Sequence, residues 1–166
     1  MSRPWLERFV DAYTLSETVA FRVVSGFDLR LERRVVVVVA CPGTDRGLAA
    51  RALDRAFEAH RDPPHAVIAR AVERAGAGEV DYLVIDFAGC IDLAGVAQLA
   101  SEVGLKCDYA AADGFTATLR EAILASGERR MATGEPLCMG SFALSNVLFA
   151  ASGEHVLIGY GHNVVC

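Results

Sequence analysis

The pattern of hydrophobic and polar positions predicts a chain that contains both strands and helices. Val35 to Val39 is an uninterrupted β-branched run, which is typical of a central strand buried on both faces. Val80 to Phe87 has the same character, and Phe27 to Leu31 alternates apolar with charged residues as a half-exposed strand does. Near the end of the sequence, Phe142 to Ala150 and His155 to Tyr160 predict an antiparallel hairpin with a glycine-containing turn.

Helical spacing of apolar residues covers much of the remaining sequence. The predicted helices are Pro4 to Ser16, Arg46 to His60, His65 to Ala75, Leu93 to Val103 and Asp108 to Ala125. Together with the strands, they predict one α/β (α+β) domain over residues 1–166, with a mixed or mainly antiparallel sheet flanked by helices. A chain of 166 residues is long enough to bury such a core.

Composition and charge narrow the classes of function. The formal net charge is −5 and the arginines are spread among acids, which argues against a nucleic-acid-binding protein. No apolar run reaches the roughly 20 residues that span a bilayer, and Met1 to Phe9 lacks the apolar segment of a secretory signal. We therefore expect a cytoplasmic protein without a membrane span. No cofactor is predicted, because the phosphate-binding and dinucleotide-binding glycine motifs are absent.

Cys138 is the candidate nucleophile among five cysteines, none of which forms a CxxC pair that would indicate a zinc site or a redox dithiol. A charged loop with glycine and proline precedes Cys138 and an apolar strand follows it. Self-cleavage before Cys138 would free its α-amino group, whose ordinary pKa of about 8 suits a base for the thiol. The alternative is a buried structural cysteine, which is a common environment for a free thiol.

The order of features around Cys138 resembles that of one group of cysteine hydrolases. The sequence CMGS beginning at Cys138 opens an apolar strand, a turn around Gly153 follows, and the second strand ends in Gly161, His162 and Asn163. This order is similar to that of the acid ceramidase and N-acylethanolamine acid amidase group of N-terminal-nucleophile cysteine hydrolases.

The resemblance implies a fold and a division of the chain. The fold would be part of an αββα sandwich. Residues 1–137 would form a propeptide-like or α-subunit-like region, and residues 138–166 would begin a catalytic-subunit-like hairpin. An isolated first hairpin would leave a sheet edge unpaired, so the resemblance also implies a missing C-terminal subunit or a homo-oligomer.

The chemistry that the resemblance implies is self-processing, thiol-dependent hydrolysis of linear amides, with a small-molecule N-acyl or lipid-like amide as substrate. The Cys138 thiolate would attack the carbonyl carbon, the freed α-amine would move the proton, and Asn163 or His162 would help to orient the groups. The family has arginine at the position of His162, or of Tyr160 if Gly159 is the matching glycine, and it has aspartate at the position of Val165. The chain is thus either a fragment of a longer hydrolase or a relative that lacks catalytic parts.

A second resemblance points to a non-catalytic protein. The strand Val35 to Val39, the helix after it, the strand Val80 to Phe87 and the following Asp92-Leu93 loosely resemble the STAS domains of anti-sigma-factor antagonists. In that family a serine or threonine follows the equivalent aspartate and is phosphorylated, whereas Leu93 stands there in this chain. This resemblance implies a regulatory or binding domain that acts through protein partners.

Overall fold

The computed structural model describes residues 7–77, 80–106, 108–127, 130, 134 and 143–158. Within these residues the protein is α+β, with a five-stranded antiparallel sheet, a three-stranded antiparallel sheet and three α-helices. The predicted fold class is therefore confirmed.

The five-stranded sheet is built from the first half of the chain, and its strand order is β1-β2-β3-β5-β4. Its strands are β1 (Phe9–Glu17), β2 (Phe21–Asp28), β3 (Arg33–Ala40), β4 (Ala71–Ala77) and β5 (Val80–Ile85). Each neighbouring pair is antiparallel, so the sheet consists of hairpins and one longer connection between β3 and β4.

Strand β3 is the centre of the fold, as the β-branched run predicts. Its valines alternate between two apolar cores: Val36 and Val38 enter one, and Val35 and Val37 enter the other. All four are 0% exposed. Because successive side chains of a strand point to opposite faces, only a strand covered on both sides can bury every one of them.

The three-stranded sheet consists of β6 (Gly89–Asp92), β7 (Val147–Ala150) and β8 (His155–Leu157), in that order. A 3-10 helix (Leu144–Asn146) leads directly into β7. The turn between β7 and β8 contains Gly153 at φ 88°, a left-handed conformation that favours glycine. The antiparallel hairpin predicted from the sequence is therefore confirmed over the described residues, with shorter strands.

The helices are α1 (Arg46–Arg61), α2 (Leu93–Glu102) and α3 (Tyr109–Gly127). Aspartates begin the first two: the Asp45 side chain accepts a hydrogen bond from the Leu48 N–H, and the Asp92 side chain accepts one from the Gly95 N–H. All three helices agree with their sequence predictions to within a few residues. No described helix is both long enough and apolar enough to cross a membrane.

Two predicted helices are wrong. Of the predicted helix Pro4 to Ser16, residues 4–6 lie outside the described residues and residues 7 and 8 are helical, but the chain forms strand β1 from Phe9 onward, where Phe9 is buried and Tyr13 is exposed. Within the predicted helix His65 to Ala75, the chain runs as a loop and then enters β4 at Ala71. In both segments, pairing with a neighbouring strand overrides a local spacing that also fits a helix.

Two shorter predictions also need correction. Phe27 to Leu31 is not a separate half-exposed strand, because β2 ends at Asp28 and the next residues turn into β3. Residues 89–92, predicted as part of a connection, form strand β6 and pair with β7. The alternation at Phe27 reflects the end of a hairpin, where Arg30 is exposed but Asp28 is buried.

A buried ionic cluster closes one end of the five-stranded sheet. Arg8 Nε donates to Asp28 Oδ1 at 2.9 Å, and Arg8 Nη1 donates to Glu73 Oε1 at 3.0 Å. Burial alone would raise the pKa of Asp28, but hydrogen bonds from Arg8 and from the N–H groups of Arg30 and Leu31 outweigh it and lower that pKa. The ionised carboxylate thus fixes the β2–β3 turn against β1 and β4.

Candidate functional site

The three site residues predicted from the sequence, Cys138, His162 and Asn163, lie outside the described residues. The hairpin between them is described from Ala143 to Ile158, and it has the antiparallel form that the prediction requires. The roles of the three residues stay predictions.

Two cysteines lie in the described part of the chain, and Cys41 is not an activated nucleophile. Cys41 and Cys90 are free thiols of intermediate exposure. Burial raises the pKa of the Cys41 thiol, and the negative charge of Glu17 raises it further, while Arg22 acts weakly in the opposite direction. A thiol with a raised pKa is mostly protonated at neutral pH and reacts slowly.

The two sheets meet in an apolar seam, which we define by Val23, Val36 and Val38 of the larger sheet and Leu148 and Ile158 of the hairpin region. These side chains belong to one buried cluster, and the last four are 0% exposed. In the seam, β3 contacts the second sheet directly, since Gly89 of β6 lies against Val36. All five of these side chains are apolar, so they contribute no polar group to the space between the sheets.

Gly89 shows how tightly the seam is packed. A Cβ atom added at Gly89 would lie 3.1 Å from Val36 Cγ2 and 3.4 Å from Leu148 Cδ1. Leu15, Phe21 and other half-buried apolar residues pack around the cluster. Among the described residues around Gly89, even one added methyl group would be crowded, which leaves no space for a ligand at that point between the sheets.

His60 links the larger sheet's helix to the second sheet. It is fully buried near the end of α1, with Nδ1 2.6 Å from the Ala69 carbonyl oxygen and Nε2 3.1 Å from the Ile158 carbonyl oxygen. A neutral imidazole can donate to one of these oxygens, and a protonated one can donate to both. Sequence reasoning assigned His60 no role, because its spacing gives no sign that two distant carbonyls converge on it.

A polar groove lies behind the connection between the sheets, and we call it the connector groove. It consists of two adjoining cavities, of about 310 Å³ and about 580 Å³, which share Ala66, Asp86 and Val156. Its charged and ionisable lining residues are Arg33, Arg34, Arg70, His65, His155, Asp86 and Glu154. The α1–β4 loop, the residues after β5 and the β7–β8 turn all contribute to its walls.

The helices α2 and α3 expose several apolar side chains to solvent. No residue of α2 is buried, although six of its ten residues are aliphatic. Leu105 and Tyr109, in and after the turn that follows α2, are 70% and 85% exposed. An apolar groove of about 350 Å³ runs along α3 beside Leu144. Clustered exposed apolar residues of this kind are typical of surfaces that meet another protein.

Within the described ranges, no three histidine, cysteine, aspartate or glutamate side chains come close enough together to hold a metal ion. A comparison of the sequence with protein-family models found no matching family, and a comparison with curated proteins found no matching protein.

Proposed function

We propose that this protein is a non-catalytic binding module that acts through a protein partner, on a scaffold whose element order is that of a protein kinase. The observation that carries the proposal is the apolar seam, which fills the place between the sheets where a kinase would hold its nucleotide. The kinase comparison is an analogy at the level of the fold and of motif positions.

The order of elements supports the analogy. In protein kinases a glycine-rich loop comes first, the third strand supplies a lysine, the next helix supplies a glutamate, and a catalytic loop and a D-F-G motif follow. This chain has the β1–β2 turn, then β3, then α1 and later the β7–β8 hairpin, in the same order. The second sheet follows the first through a short connection at residues 86–88.

The first kinase motif is present only as spacing. The kinase pattern G-x-G-x-x-G-x-V falls on residues 16–23, which span the β1–β2 turn and end at Val23. Ser16, Thr18 and Phe21 stand at the three glycine positions. Side chains at all three positions would keep the backbone from approaching a phosphate closely, which is the function of the glycines.

The lysine of the kinase ion pair is also replaced. Val35 to Val38 falls on the kinase sequence V-A-I-K, so Val38 stands at the lysine position and faces the seam. The single lysine of the sequence is Lys106, which is exposed after α2. None of the buried residues of α1 is acidic. The Lys–Glu ion pair that active kinases need therefore has no counterpart here.

The catalytic loop and metal-binding motif are altered in sequence. The pattern D-L-x-x-x-N falls on Ser141 to Asn146, with serine at the position of the catalytic aspartate and Asn146 at the asparagine. Gly159-Tyr160-Gly161 follows the hairpin where D-F-G is expected, so glycine replaces the aspartate that binds Mg²⁺. The three positions thus lack the catalytic base, the lysine and the metal-binding aspartate with which kinases assist phosphoryl transfer.

The first prediction concerns nucleotide. Addition of ATP and Mg²⁺ is expected to leave the melting temperature unchanged and to transfer no phosphate, because the seam excludes the ligand and a ligand that binds the native state raises stability. Differential scanning fluorimetry and a radiolabelled phosphotransfer assay measure this, with an active kinase as the positive control. A melting temperature that rises with ATP concentration would contradict the proposal.

A second candidate is the self-processing thiol hydrolase of linear amides. What favours it is the antiparallel hairpin from Val147 to Leu157, which has the form expected after a nucleophile at Cys138. In this function Cys138 attacks a small-molecule or lipid-like amide, with Asn163 and His162 orienting the groups. Its activity would depend on a homo-oligomer or a further subunit for the remaining groups.

Self-cleavage separates the two candidates. The hydrolase predicts cleavage between Leu137 and Cys138, whereas the binding module predicts an intact chain. Intact-mass spectrometry and N-terminal sequencing of the purified protein distinguish them. In the hydrolase, Cys138→Ala would abolish cleavage and the matched variant Cys90→Ala would not. An intact wild-type chain that leaves Cys138 unreactive toward iodoacetamide would eliminate the hydrolase.

A further inference from the structure

We propose that the connector groove binds an acidic peptide segment of the partner protein. The proposal rests on the proposed function as a binding module and adds the site and the chemistry of the partner. The groove is separate from the seam, because it lies behind the residues that connect the two sheets. Its occupation would therefore not require the sheets to move apart.

The connector groove has more basic than acidic side chains, although the chain as a whole is acidic. The whole sequence has a formal net charge of −5, yet the groove has three arginines and two histidines against two acids. Arg33 already pairs with Asp86 at 3.1 Å. Arg34 and Arg70 are exposed and have no carboxylate partner in the described parts of the chain. The Arg34 guanidinium carbon lies 6.0 Å from the centre of the Tyr13 ring, but a cation–π contact leaves its N–H groups able to bind carboxylates, as are those of Arg70.

His155 forms part of the groove wall beside Glu154. Its Nε2 atom is buried and has no hydrogen-bond partner among the described residues. The ring is held by Phe115 at 4.9 Å and by Phe149 at 5.7 Å, measured between ring centroids. Because Nε2 is not accessible from the groove, His155 contributes a wall to the site rather than a hydrogen bond to a ligand.

The shape and walls of the groove favour a peptide. The two cavities have volumes of about 310 Å³ and 580 Å³ and are joined end to end, which suits a few residues in an extended conformation. Pro63, Pro64 and Phe87 provide apolar walls for side chains between the acidic ones. Asp86 and Glu154 interrupt the positive charge of the groove, so a peptide with spaced acidic side chains fits it better than an unbroken row of phosphates.

Peptide selection tests the proposal. A phage-displayed library of random linear peptides is selected on the wild-type protein and on the double variant Arg34→Glu/Arg70→Glu. We expect acid-rich sequences to be enriched on the wild type alone. A fluorescein-labelled peptide from that selection should bind the double variant at least about tenfold more weakly by fluorescence anisotropy, and salt should weaken its binding to the wild type.

A charge-matched control distinguishes binding in the groove from a general effect of the protein's net charge. Arg51→Glu/Arg120→Glu makes the same change in net charge at exposed positions on α1 and α3. This variant should bind the labelled peptide as the wild type does, and circular dichroism should show all three proteins folded. Equal loss of binding in both double variants, or no enrichment of acidic peptides, would overturn the proposal that the connector groove binds an acidic peptide. The ATP measurement tests the proposed function separately, so the two failures are distinguishable.

Discussion

Val38→Lys is expected to unfold the domain under conditions in which the wild type is stable. Val38 is 0% exposed in the seam between the two sheets. Burial of an ammonium group without a partner costs several kcal/mol, and the longer side chain adds about 1–3 kcal/mol of overpacking. The sum is about 5 kcal/mol or more, which is comparable with the whole stability of a small domain. Urea denaturation followed by circular dichroism measures it.

The matched control is Val19→Lys, because Val19 is 99% exposed in the β1–β2 turn. That substitution should change the free energy of unfolding by no more than about 0.5 kcal/mol. The comparison also tests the proposed function, because a kinase cleft accommodates a lysine on the third strand as part of its normal design. A folded Val38→Lys variant with near wild-type stability would mean that the seam has room for a cation.

The strands and helices that could be predicted from the sequence are those whose pattern fits one structure only. A run of five valines favours a strand that is buried on both faces, so β3 can be predicted without knowledge of its neighbouring strands. The helix from Arg46 has apolar residues at helical spacing and Asp45 at its beginning. In residues 9–17 and 71–77, the apolar spacing fits a helix or a strand, and only the neighbouring strands of the sheet decide between them.

The candidate site was harder to predict because its important residues are apolar. A search for glycine motifs finds nothing between β1 and β2, because residues 16–23 contain no glycine. The seam depends on contacts between β3 and a hairpin more than a hundred residues later in the chain, which no local pattern contains. The arginines of the connector groove are likewise brought together by the topology of the two sheets.

Leu148→Ala tests the seam from the side of the second sheet. Leu148 is 0% exposed on β7 and packs in the same cluster as Val36 and Val38. Removal of a fully buried leucine side chain leaves a cavity and typically costs about 2–5 kcal/mol, and the close packing around Gly89 places this site in the upper half of that range. Urea denaturation measures the loss. We also expect hydrogen exchange to speed up in β6, β7 and β8 before it does in β2 and β3.

Leu144→Ala is the matched control, because Leu144 lies one turn earlier in the chain and is 50% exposed. It should cost less than about 1 kcal/mol, since half of its side chain is already in water. If Leu148→Ala also costs less than about 1 kcal/mol, the two sheets are not held together by this packing. The space between them could then open for a ligand, and the main argument against a nucleotide site would be lost. If only Leu148→Ala lowers the free energy of unfolding by several kcal/mol, packing in the seam holds the two sheets together, as the proposed binding module requires.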